Sequence, residues 1–156
     1  MNPITLLDYP INITKILEIA EEAKAKSISY KDPRYPKLNI DNWKISKFNN
    51  NYLQQVIDDF EVKGSPRFYW LKENTYLPIH VDNGTTCSIN FILTEDAAPV
   101  RFNDVDYFYK QALLNTMVPH SVLNKGSERI LLKISIANET YEELASRIKF
   151  KKSTNE

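Results

Sequence analysis

A change of rhythm at Pro66 constrains the fold more than any other feature of this chain. Before it, apolar residues recur at helical spacing; after it, they come in short alternating runs. RFYWLK, TYLPIHV, TTCSINFIL, PVRFN, DYFYK, QALLNT, VPHSVL and ERILLKISIA follow one another, each β-branched or aromatic and bounded by turn-like clusters. Roughly eight such strands at close spacing predict a sandwich or barrel.

The alternation also says what the interior holds. In the last run Ile130, Leu132, Ile134 and Ile136 share one face, while Arg129, Leu131, Lys133 and Ser135 share the other, because side chains in a strand repeat with period two. The run around Ser88 divides the same way, with Thr86, Ser88 and Asn90 opposite Cys87, Ile89 and Phe91. Two strands with one greasy and one polar face predict a barrel interior that is wet or filled by a ligand.

The residues before Pro66 read as helical support. Asn12 suits an N-cap, followed by Ile13, Ile16, Leu17 and Ala20 on one face and Lys15, Glu18, Glu22 and Lys26 on the other, ending near Ser27. Pro33 and Pro36 impose extended structure on KDPRYPKLNI. A second helix is expected over Tyr52–Phe60, closed by Gly64 and Pro66, and a third in ETYEELASRIKF, with KKSTNE a frayed tail. With 156 residues and no repeat or linker, the expectation is one domain over 1–156. It comprises helical support over 1–65, a strand core over 66–137, and a helix and tail over 138–156.

Composition removes several function classes. Lysine plus arginine balances aspartate plus glutamate, which argues against a general nucleic-acid binder. Cys87 is the single cysteine, so neither an intramolecular disulfide nor a cysteine-cluster metal site is available. No stretch approaches the roughly 20 apolar residues of a membrane span, and the first residues lack a basic leader followed by an apolar run. A cytoplasmic protein with no membrane partner is expected.

Both histidines of the chain sit where metal chemistry needs them. His80, in PIHVD, ends a strand two residues before Asp82, a spacing that puts both side chains on one face. His120, in MVPHSVL, lies on a later strand and is expected to complete a triangle from across the barrel. Two imidazoles and a carboxylate arranged facially leave open positions on an octahedral ion, the pattern of non-haem Fe(II) oxygenases. Zinc hydrolases and cupin-type isomerases use similar donors, so the triangle alone leaves these open. Arg129, nine residues after His120 and facing inward, narrows the choice. A cation inside a barrel is costly unless paired, and a planar guanidinium holds a carboxylate bidentately. Pairing with an acidic side chain, or an outward turn at the strand end, is the structural alternative.

Together, H80-x-D82 and H120-SVLNKGSE-R129 resemble the signature of the 2-oxoglutarate/Fe(II)-dependent dioxygenases, on a double-stranded β-helix of the jelly-roll or cupin type. The resemblance covers about Pro66 to Ala137 and is nearest the aspartyl/asparaginyl β-hydroxylase-like and prolyl-hydroxylase-like branches. It implies His80, Asp82 and His120 as Fe(II) ligands and Arg129 as the partner of the distal carboxylate of 2-oxoglutarate. It further implies Asn90 and Tyr69 as co-substrate contacts and O2 as the oxidant. The β-hydroxylase branch commonly lacks the acidic ligand, so Asp82 draws the chain toward the fuller hydroxylase pattern. The same residue argues against a halogenase.

The resemblance implies hydroxylation of a free amino acid or of a peptide or protein side chain, with release of succinate and CO2. Arg67, Trp70, Tyr76, Arg101 and Tyr107 are candidates for the rim of the site. Trp43, Phe48 and Tyr52 are candidates for an interface, in keeping with a homodimer. Two other readings stand beside this one. One is a cupin-like metal-dependent isomerase or hydrolase that does not use 2-oxoglutarate; the other is a non-enzymatic β-barrel binding module.

Overall fold

The computed structural model describes residues 2–31, 33–34, 42–95 and 98–153. The elements run β1 (Ile4–Leu6), α1 (Ile13–Lys24), β2 (Ile28–Ser29), β3 (Trp43–Lys47), α2 (Asn51–Asp59), β4 (Ser65–Leu71) and β5 (Thr75–His80). They continue with β6 (Cys87–Ile92), β7 (Val100–Phe102), β8 (Val105–Tyr107), β9 (Gln111–Leu114), β10 (His120–Asn124), β11 (Arg129–Ile136) and α3 (Tyr141–Arg147). Each of the eight runs after Pro66 contributes one strand.

The strands form two antiparallel sheets. The larger has the order β1-β9-β6-β11-β4-β3-β2 and the smaller β5-β10-β7-β8. From β4 onward the chain passes back and forth between the two: β4 large, β5 small, β6 large, β7 and β8 small, β9 large, β10 small, β11 large. That weave is the double-stranded β-helix.

All three helices cover the outer face of the large sheet. Their ends are set by local hydrogen bonds that satisfy free amide groups of the first turn. The Asn12 side chain accepts from the Lys15 amide at 3.1 Å and that of Asn50 from Leu53 at 2.9 Å. Thr140 and Glu143 form a reciprocal capping box on α3. Ile16, Ile19, Ala20 and Ala23 of α1, Leu53, Val56 and Ile57 of α2, and Leu144 of α3 meet Phe68, Trp70, Ile89, Phe91, Leu132 and Ile134 of the strands in one apolar core. The inner face packs against the small sheet through Tyr69, Leu71, Ala112 and Leu114 on one side and Leu77, Val100, Phe102 and Val122 on the other.

The region before Pro66 is less purely helical than its periodicity predicts. β1, β2 and β3 lie within 1–65 and extend the large sheet at both edges. Trp43, a candidate for an interface, is buried against Tyr30, with ring centroids 4.0 Å apart, and stacks on Tyr69 at 5.7 Å. The tail is tied down as far as Lys152, whose amide donates to the Leu6 carbonyl at 2.9 Å while Lys151 bridges Leu7; residues 154–156 lie outside the described residues. The extended structure expected around Pro36 also falls outside them. No helix among the described residues is long and apolar enough to cross a membrane.

Candidate metal centre

Register brings the two histidines together. His120 on β10 is the antiparallel partner of His80 on β5, and their rings lie 4.5 Å apart. His120 therefore completes the triangle from the adjacent strand of the same sheet, not from across the barrel. A register irregularity between His120 and Val122 interrupts the pairing at this point, the kind of local kink that re-aims a side chain. β5 ends at His80, so Asp82 occupies the following loop, where its amide donates to the Thr116 carbonyl at 3.2 Å.

Each histidine is oriented by its own strand. Nδ1 of His80 lies 2.7 Å from the Pro78 carbonyl oxygen and Nδ1 of His120 lies 2.7 Å from that of Val118. A carbonyl only accepts, so each Nδ1 carries the hydrogen and each Nε2 is left to face inward. Nε2 of His120 is 3.1 Å from Asp82 Oδ1 and Nε2 of His80 is 3.5 Å from the same oxygen. One donor atom from each of the three residues falls within 4.8 Å of the other two. Two imidazole nitrogens and a carboxylate oxygen converging at nearly dry positions (His80 is 6% and His120 7% exposed) suit a divalent metal ion with further coordination positions open.

Lys133 completes this centre and was not among the residues singled out in the sequence. It projects from the inward face of β11 over the Tyr69 ring, 5.4 Å from its centroid, and its ammonium pairs with Asp82 Oδ2. Burial by itself pushes the Asp82 carboxyl up; the Lys133 charge and the two histidine contacts outweigh it and hold the group well below the ordinary carboxylate range. Burial likewise pulls Lys133 down, and Asp82 reverses that to a net upward shift. One carboxylate oxygen thus faces the histidines while the other is held by the ammonium.

Arg129 lies at the far end of the same cavity. It is 5% exposed, donates to the Ala98 carbonyl at 3.0 Å and to the Tyr109 hydroxyl at 3.2 Å, and forms no ion pair among the described residues. Asn90 reaches the same hydroxyl through Nδ2 at 3.1 Å, with its Oδ1 fixed by Ser88 at 2.8 Å. Tyr109, absent from the sequence-based set, is therefore the hub of this polar end. Tyr69 lines the wall between the two ends and is buried, its hydroxyl making no hydrogen bond to another described residue. The six residues expected at the site all line one cavity of about 100 Å³.

Of the five rim candidates, only Arg67 lines this cavity. Trp70 alternates away from Tyr69 into the helix-covered core. Tyr76 is half exposed on the outside of the small sheet, Arg101 pairs there with Asp106 at 2.8 Å, and Tyr107 packs edge-on against Phe102.

The sequence matches no protein-family model, and no curated protein matches it either. A prolyl-4-hydroxylase from Pseudomonas putida superposes with a TM-score of 0.62 at 14% identity, covering 85% of this chain and 91% of that one. The viral collagen prolyl hydroxylase vCPH from Paramecium Bursaria Chlorella virus-1, in its 2OG complex, gives 0.55 at 8% identity, covering 86% and 94%. At such identities the likeness establishes fold. The chain has the double-stranded β-helix fold of these prolyl hydroxylases.

Proposed function

We propose that this protein is an Fe(II)- and 2-oxoglutarate-dependent dioxygenase that hydroxylates an amino acid or a peptide or protein side chain. The observation that carries this reading is the convergence of His80 Nε2, Asp82 Oδ1 and His120 Nε2 on a cavity that also contains a buried guanidinium with no acidic partner among the described residues. A metal site alone fits many hydrolases and isomerases; a metal site paired with an inward arginine fits a co-substrate that is both a chelator and a dicarboxylate.

In this reading His80, Asp82 and His120 hold the iron, and Lys133 keeps Asp82 turned so that one oxygen is offered to the metal. Arg129 binds the distal carboxylate of 2-oxoglutarate, with the Tyr109 hydroxyl beside it and Asn90 fixing that hydroxyl. Tyr69 closes the wall of the pocket and offers a free hydroxyl. The bound iron, with 2-oxoglutarate and O2, supplies the oxidising chemistry: one oxygen atom enters a C–H bond of the substrate and the other enters succinate, with CO2 released. The chain's own contribution is orientation and exclusion of water, since the lining is mostly buried. A cytoplasmic location remains part of the proposal.

The test is an anaerobic titration with Fe(II) and then 2-oxoglutarate, following the visible charge-transfer band of the chelate. A band that forms in the wild type and is lost in His80→Ala supports the reading. Iron binding without a band points to cupin-type chemistry, and no metal binding points to a binding module.

A further inference from the structure

Among the described residues, Arg67 is the one inward-facing cation of the cavity that neither the metal centre nor the co-substrate end uses. It lies on β4 directly across from Lys133 of β11, and its neighbours on the same face are Tyr69 and Leu71. Its Nε is buried without a hydrogen-bond partner. Its one side-chain hydrogen bond, from a terminal nitrogen to Ser65 Oγ, is long at 3.4 Å. No acidic residue among the described ones pairs with it.

The position is opposite to that of Arg129. Arg129 pairs across the strands with Leu71 and Lys133 with Arg67, so the two guanidinium-bearing positions are four residues apart along the sheet, roughly 13 Å at strand rise. In the proposed reading the end of 2-oxoglutarate not held by Arg129 chelates the metal, so Arg67 is left without a co-substrate partner. Asn83 is exposed and Thr85 half-exposed at the Arg67 end, whereas Arg129 is buried. Arg67, itself half-buried, accordingly stands nearer the mouth than Arg129.

Charge gives the same answer. Among the described residues the lining carries three permanent cations, Arg67, Arg129 and Lys133, against one carboxylate, Asp82, a surplus of two. A divalent metal and a dianionic co-substrate cancel one another and leave that surplus unchanged. A guanidinium in a partly dry pocket is best satisfied by a planar anion that accepts two parallel hydrogen bonds.

We propose that Arg67 anchors a carboxylate of the primary substrate, which makes that substrate a carboxylic acid. The inference deepens the dioxygenase reading and rests on it for the reaction. Lys133 separates Arg67 from Asp82, so an acid held by Arg67 presents its carbon skeleton toward the metal centre while Arg129 stays with the co-substrate.

The test uses the full chain loaded anaerobically with Zn(II) and 2-oxoglutarate, and observes the Arg67 Nε–Hε NMR cross peak, assigned by its loss in Arg67→Gln. Acetate and the free amino acids are titrated in parallel with the corresponding carboxamides. The cross peak is expected to move with at least one acid and with none of the amides. Arg67→Gln should weaken that acid about 10-fold or more, the loss of a charge-assisted hydrogen bond, with 2-oxoglutarate affinity changed less than about 2-fold. Arg67→Lys should restore part of it. Amides that shift the peak as acids do, or no acid-dependent shift at all, overturn the proposal. Inorganic phosphate moving the peak in place of every carboxylate overturns it too. A chelate band without an acid-dependent shift fails this inference alone; the shift without a band fails the dioxygenase reading alone.

Discussion

The two faces of the large sheet use the same strands for opposite purposes. On β11, Leu132, Ile134 and Ile136 point outward into the helix-covered core, while Arg129, Leu131, Lys133 and Ser135 point into the cavity. On β4, Phe68 and Trp70 oppose Arg67, Tyr69 and Leu71 in the same way. Apolar burial on the outer face supplies the driving force for folding. The inner face concentrates three cations around one carboxylate, an arrangement that gives up packing for chemistry. Stability and function are thus separated by a single step along the chain, and substitutions on adjacent residues should report on different properties.

The largest effect is expected on the outer face. Phe68 is fully buried, and Phe68→Ala should cost about 4 kcal/mol in equilibrium denaturation, from lost transfer energy and the cavity left behind. Iron affinity measured on the fraction still folded should be unchanged. A large loss of metal binding there, without unfolding, would break the separation of the two faces.

A smaller effect is expected on the inner face, of a different kind. Lys133→Met strands Asp82 without its ammonium partner and should destabilise the metal-free protein by about 3 kcal/mol. Divalent metal supplies a replacement charge, so the variant should gain more stability from metal than the wild type does. The pH dependence follows from the shifts. Asp82, depressed in the folded state, contributes fully above its unfolded value near 3.8 and loses that contribution as pH falls through the lower folded value. Lys133, raised, contributes fully below 10.5 and loses it as pH rises through the higher folded value. The stability gap between wild type and Lys133→Met should therefore narrow in acid, as Asp82 is protonated first in the variant and only at lower pH in the wild type. A gap that widens in acid would contradict this electrostatic role.

The smallest effect sharpens the comparison on the outer face. Cys87 is buried there, and its thiol is pushed up to about 11, mainly by burial, with Glu139 and Glu142 adding to the rise and the Thr86 contact opposing it. Thiol-specific reagents at mild pH should label it slowly in the native protein and quickly after denaturation. Rapid native labelling would show that this face opens.

The same contrast explains how far the sequence could be read. Period-two alternation in ERILLKISIA and TTCSINFIL encodes which residues face the helices and which face the cavity, and both assignments hold. The start of the first helix was legible at Asn12 because capping is a local interaction. β1 and β2, with three and two residues, are too short to carry a period, so the strands before Pro66 were hidden among helices. Pairing across strands is also unwritten in local pattern. His120 could be matched to His80 by chemistry, yet their adjacency on neighbouring strands depends on register. Lys133 shared the polar face with Arg129 in the alternation, but its partner Asp82 lies 51 residues away in sequence. Tyr109 sits among three consecutive aromatics, Tyr107, Phe108 and Tyr109, where alternation does not say which of them turns toward Arg129.

The division of labour within the cavity is tested most directly by equilibrium dialysis of Fe(II) and labelled 2-oxoglutarate against the wild type, His120→Ala and Arg129→Ala under anaerobic conditions. His120→Ala should lose iron and, with it, the metal-dependent part of 2-oxoglutarate binding. Arg129→Ala should keep iron within about 2-fold and weaken 2-oxoglutarate by about 10-fold or more. Unchanged iron binding in His120→Ala, or equal loss of both ligands in Arg129→Ala, would mean that these residues do not divide metal and co-substrate between them.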